Sequence, residues 1–158
     1  MASDFSEQPD IGDATNVAIL KALSADPRIS TAELARKIGM SGPAVRERVS
    51  RLEETGVIRG YRVDIDPRAL GYAVTAFVRV RPMLGQLPKV IRLAQETPEV
   101  IECHRITGED CFMMKLCIRS IDTLDTVLDA FLAYGQTTTS IIQSTPVALR
   151  TPPLRGPT

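Results

Sequence analysis

The 158-residue chain can hold one ordinary domain or two small ones, and 44% hydrophobic with 24% charged residues excludes a disordered or fibrous protein. Its formal net charge of zero by itself argues neither for nor against a nucleic-acid partner. Arg79, Arg81, Lys115 and Arg119 break the longest apolar runs, and Met1 to Asp10 lacks the basic-then-apolar order of a secretory signal, so a cytoplasmic chain with no membrane partner is expected.

In chain order, residues 1–11 read as a tail. A first helix follows, with Asp13 as its N-cap and an apolar face of Val17, Ile19, Leu20 and Leu23, ending before Pro27. Ser30-Thr31-Ala32-Glu33 has the form of a capping box and opens a second helix, which Gly39 ends in the manner of a left-handed cap. Ser41 caps a third helix with Pro43 in its first turn and Val45, Val49 and Leu52 as its buried stripe. Ala35, Gly39 and Val45 hold the small, turn-permitting and apolar positions of a helix-turn-helix, which makes residues 12–62 a DNA-binding domain. Residues 63–71 are a linker. Beyond it, strands are expected at Tyr72–Arg81, Val100–Thr107, Cys111–Ser120 and Thr137–Leu149, with helices at Pro88–Thr97 and Ile121–Tyr134. The order β-α-β-β-α-β over residues 72–149 is the ferredoxin-like arrangement of an α+β domain, whose uncovered sheet face calls for a second copy. Residues 150–158 read as another tail.

Charge is unevenly distributed. Met1 to Pro27 carries Lys21 against Asp4, Glu7, Asp10, Asp13 and Asp26, a net of −4. Arg28 to Arg62 carries Arg28, Arg36, Lys37, Arg46, Arg48, Arg51, Arg59 and Arg62 against Glu33, Glu47, Glu53 and Glu54, a net of +4, the footprint of an element that meets double-stranded DNA. On a wheel set by Val45, Val49 and Leu52, the third helix turns Pro43, Ala44, Glu47, Ser50 and Arg51 outward, with Arg46 and Arg48 on the flanks. Arginine can hold a guanine edge with two hydrogen bonds, and the helix N-terminus with Ser41 can meet a phosphate. Glu47 has two readings, acceptor from a cytosine amino group or partner of Arg51 one turn on. Arg36, Lys37, Arg59 and Arg62 suit phosphates or a plain solvated surface.

Other chemistry has little support. Cys103, Cys111 and Cys117 lack metal-ligand spacing, and no structural disulfide is expected. His104, the single histidine, stands beside Cys103 on a strand, so the two point to opposite faces, and neither a metal nor a cofactor is expected. With no nucleophile elbow or phosphate loop, the chain does not read as an enzyme.

The stretches Asp26-Pro27-Arg28-Ile29-Ser30, Glu33-Leu34-Ala35, Ile38-Gly39-Met40-Ser41 and Arg46 through Tyr61, with Val100 to Gly108 and Thr137 to Ile141, resemble the Lrp/AsnC, or feast/famine, family over about residues 11–148. The resemblance implies a winged helix-turn-helix joined to a ferredoxin-like domain that dimerises through its sheet. It also implies homodimers assembling to octamers and an amino-acid effector bound between subunits. Carried onto this chain, the effector site would take His104, Thr107, Gly108, Glu109 and Asp110 from one subunit and Thr137 and Thr139 from a neighbour. The family's Gly-Asp-x-Asp is here Gly108-Glu109-Asp110-Cys111, so no effector identity is carried over. The rival expectations are an architectural protein that wraps DNA without an effector, and an enzyme or metabolite-binding module built on the second domain.

Overall fold

The computed structural model describes residues 11–154. Three helices come first: α1 (Ala14–Ala25), α2 (Thr31–Ile38) and α3 (Gly42–Glu54). After a 3-10 turn at Pro67–Leu70 come β1 (Val74–Pro82), α4 (Leu87–Glu96), β2 (Val100–Arg105), β3 (Phe112–Ile118), α5 (Ile121–Leu132) and β4 (Gly135–Ile141). The described chain forms two compact units, one of the residues up to Val63 with those from Leu149 on, the other Asp64–Ala148. No described helix is long and apolar enough to cross a membrane.

In the first unit each helix starts on the cap that its sequence predicts. Asp13 Oδ1 accepts from the Asn16 amide at 2.9 Å, Ser30 Oγ from the Glu33 amide at 3.2 Å and Ser41 Oγ from the Ala44 amide at 3.4 Å. Gly39, at φ 75°, supplies the left-handed residue that lets α2 turn into α3. Ile19, Leu20, Ala22, Leu34, Ala35, Val45 and Leu52 form one core, in which the small alanines admit close helix crossings. After α3 the Ile58 amide donates to Leu52 O at 2.8 Å, and Val57 and Ile58 fold back onto this core. No strand forms between α3 and β1.

Two tail expectations change. Ile11 and Leu154 are partly buried and pack on the first unit's core, and the described residues from Leu149 on belong to that unit. The reason is size: three short helices leave apolar surface that a passing isoleucine or leucine covers with a gain in hydrophobic free energy. The remaining tail residues, 1–10 and 155–158, lie outside the described residues.

The second unit is the expected ferredoxin-like α+β fold. Its sheet runs β2-β3-β1-β4 with every neighbouring pair antiparallel. Along β1, Ala76, Val78 and Val80 are buried and Phe77, Arg79 and Arg81 exposed, the alternation of a strand covered on one face. Val78, Val80, Phe112, Met114, Leu116 and Ile118 from the sheet pack against Val90 and Ala94 of α4 and Leu124, Val127 and Phe131 of α5. The last strand stops at Ile141 instead of running to Leu149. Its partner β1 begins only at Val74, so the ladder runs out once the Ile142 amide has bonded Thr75 O at 2.9 Å, and Pro146 has no amide to extend it. Tyr72, expected in the first strand, instead lies under the Arg119 guanidinium at 5.1 Å.

Candidate nucleic-acid interface and effector site

The outward face of α3 is the helix-turn-helix feature that can meet DNA. Pro43, Arg46, Glu47, Ser50, Arg51 and Glu54 line one shallow groove along it. Arg46, Glu47, Ser50 and Arg51 are all exposed, as the wheel required, while Ala44 is half-buried. Of the two readings of Glu47, the structure shows the intrahelical pair, with Arg51 Nη2 at 3.0 Å from Glu47 Oε1 and both side chains 72% exposed. One turn further, Ser50 Oγ donates to Glu54 Oε1 at 2.9 Å. An exposed pair of this kind is worth only a few tenths of a kcal/mol, about 0.3–0.5, so a base edge or phosphate can displace it.

Arg48, half-buried beside this face, has partners outside α3. Its Nη1 donates to Asp13 Oδ2 at 2.8 Å and to Asn16 Oδ1 at 3.0 Å, back toward the start of α1. The Asn16 amide first, and Arg48 second, hold the Asp13 carboxyl below its ordinary pKa. Sequence reasoning missed this tie because no short-range pattern marks a pair 35 positions apart. Arg36, Lys37, Arg59 and Arg62 are exposed. Arg59 and Arg62 stand beside Tyr61, whose hydroxyl donates to Glu53 Oε1 at 3.0 Å. Partial burial and then the Glu53 carboxylate raise the Tyr61 pKa.

The residues expected at an effector site fall into separate groups within one chain. Thr107, Gly108, Glu109 and Asp110 form the β2–β3 turn, closed by the Ile106 amide on Cys111 O at 2.9 Å, with Gly108 at φ 108°. The turn's acids are not free: Arg79 Nη1 lies 3.2 Å from Asp110 Oδ2, and Arg81 pairs with the Glu109 carboxylate. His104 lies on the open sheet face opposite Met113 and is 2.7 Å from Glu102 Oε1. Thr137 and Thr139 stand opposite Val80 and Val78 on the helix-covered face, in the strand at the far edge from β2. Within one chain His104 and these threonines therefore lie on opposite faces of the sheet. Among the described residues no group of His, Cys, Asp and Glu could hold a metal ion.

Residues 13–59 match the winged helix-turn-helix DNA-binding family and residues 75–152 the Lrp/AsnC ligand binding domain. YezC of Bacillus subtilis, an uncharacterized HTH-type transcriptional regulator, is 36% identical over 132 residues, 84% of this chain and 94% of that protein. The solved structure of B. subtilis LrpC superposes with a TM-score of 0.82 at 31% identity, covering 87% of this chain and 98% of that one. A feast or famine regulatory protein from M. tuberculosis, solved in complex with L-methionine, superposes with a TM-score of 0.80 at 30% identity, covering 87% and 95%. With a helix-turn-helix whose third helix bares a groove holding two arginines, a ferredoxin-like second unit and relatives of this kind over both, the chain belongs to the Lrp/AsnC family of DNA-binding transcription regulators.

Proposed function

We propose that this regulator reads specific double-stranded DNA sites through the exposed face of α3, and that a small molecule bound between subunits of its second unit modulates the binding. The observation that carries the first half is the groove of Pro43, Arg46, Glu47, Ser50 and Arg51, in which arginines stand ready for guanine edges. Ser41 at the helix N-terminus and Arg36, Lys37, Arg59 and Arg62 around it serve phosphates, which set affinity and register but not sequence.

The second half has its support in the β2–β3 turn and in the methionine complex of the M. tuberculosis relative. A free amino acid presents one carboxylate and one ammonium. Arg79 and Arg81 offer donors to the first, and Glu109 and Asp110 acceptors to the second, once their mutual pairs open. His104 and the threonines Thr137 and Thr139 would enter from the same and from a neighbouring subunit. The open face of the sheet, with Phe77 40% exposed at its centre, is the surface on which a second copy packs to give a homodimer. Dimers associate further, to an octamer, and the protein works in the cytoplasm.

The experiment is footprinting on the DNA upstream of its own gene at fixed salt, with and without the twenty amino acids, since affinities at different salt are not comparable. A discrete footprint that the amino acids alter is the expected result. A discrete footprint indifferent to them removes the amino-acid effector. Extended protection without sequence preference would replace the proposal with an architectural, DNA-wrapping role.

A further inference from the structure

We propose that Arg48 is a positioning residue for DNA recognition: its bonds to Asp13 and Asn16 fix the rotation at which α3 presents Arg46, Ser50 and Arg51 to the duplex. Arg48 stands in the middle of the recognition helix, yet its guanidinium is spent on the start of α1. The tie continues in both directions. Asp13 Oδ1 caps α1 through the Asn16 amide while Oδ2 takes Arg48, and Asn16 Nδ2 donates to Ile11 O at 2.7 Å. The side chains of Asp13 and Asn16 thus link the entering chain, the first turn of α1 and the recognition helix.

The apolar core beneath, with Ile19 and Val45 fully buried, holds the helices together. Apolar packing is non-directional, though, and by itself tolerates small rotations of one helix on another. A planar guanidinium with two acceptors from one helix terminus is directional. A few degrees at the helix axis become a displacement of the long side chains that must meet base edges within hydrogen-bonding distance. Arg48 therefore acts on DNA through the orientation of its neighbours and not as one more phosphate contact.

The inference rests on the DNA reading above, and charge arithmetic separates it from the alternatives. Asp13→Asn keeps a good N-cap but removes a negative charge from the DNA-binding unit. Electrostatics alone would make that variant bind DNA more tightly. Positioning requires the opposite sign. The full-length wild type, Asp13→Asn, Arg48→Ala and the double variant are titrated with the footprinted duplex across a salt series. Each single variant is expected to bind about fivefold more weakly, and the double variant no more weakly than either, because both break one link. The salt slope is expected to match wild type. Tighter binding by Asp13→Asn, or a slope that falls by about one in Arg48→Ala as a lost phosphate contact gives, overturns the proposal. Amide exchange without DNA supplies an independent reading: faster exchange in the first turn of α1 and in α3 is expected in both single variants, and unchanged exchange overturns the tie even if no duplex is bound by wild type.

Discussion

Replacing Arg51 by Ala separates what a side chain does for the fold from what it does for DNA. In the free protein the Arg51 guanidinium pairs with its own helix neighbour Glu47 at 3.0 Å, and its side chain is 72% exposed. Losing such an i,i+4 pair costs a helix about 0.3–0.5 kcal/mol, so the denaturation midpoint should hardly move. A bidentate contact to a guanine is worth about 1–3 kcal/mol, which is about 5- to 150-fold in the dissociation constant. Arg51→Ala should therefore leave the protein folded and weaken binding to its site by at least fivefold, with the loss confined to operators that keep the contacted base pair. Glu47→Ala frees Arg51, removes a negative charge from the same face and should bind DNA at least as tightly as wild type. The assay is a titration of labelled operator, and of operators changed one base pair at a time, at one salt concentration. The reasoning is refuted if Arg51→Ala binds the operator like wild type, or if it loses affinity equally on all sequences with a salt slope lower by about one, the signature of a phosphate contact.

Two glycines should respond to alanine for opposite reasons. At Gly39 an added methyl meets nothing within 4 Å but the backbone is left-handed, so Gly39→Ala should cost about 1 kcal/mol of helix-turn-helix stability by denaturant titration. At Gly135 the backbone is unremarkable, but the methyl would run into the Arg81 carbonyl and come within 2.9 Å of Pro82 Cα, so Gly135→Ala should cost about 1–3 kcal/mol and loosen β4 from β1 in amide exchange. Leu154→Asp removes a partly buried apolar side chain from the first unit, and should cost about 1 kcal/mol there while leaving exchange in the β-sheet unchanged. Asp13 is held below its ordinary pKa, so its contribution is fully present above the ordinary aspartate value and is lost as the pH falls through the lower value of the folded state. Acid titration should find the first turn of α1 losing exchange protection at lower pH than an unperturbed aspartate would dictate, and that difference should shrink in Arg48→Ala.

Much of this protein is legible in its sequence because much of it is local. Asp13, Ser30 and Ser41 satisfy amides three residues ahead, Gly39 takes a backbone shape that side chains resist, and the alternation of Ala76, Val78 and Val80 with Phe77, Arg79 and Arg81 follows from the two-residue period of a strand. Each signal lies within a few residues of its effect, so α1, α2, α3 and the βαββαβ order follow from the chain alone. What only the tertiary structure decided are the pairings between distant residues. The reach of Arg48 back to Asp13, the arginines of β1 on the acids of the β2–β3 turn, and the packing of Leu154 on a core built by residues more than a hundred positions earlier have no periodic signature. The same holds for where β4 ends, since a strand stops when its partner does, and for the two faces on which His104 and Thr139 lie. Backbone geometry dictates neighbours one turn or one pleat away. Long side chains choose partners only after the core has set which surfaces meet, which is why the helix-turn-helix could be read in advance and the tie that orients it could not.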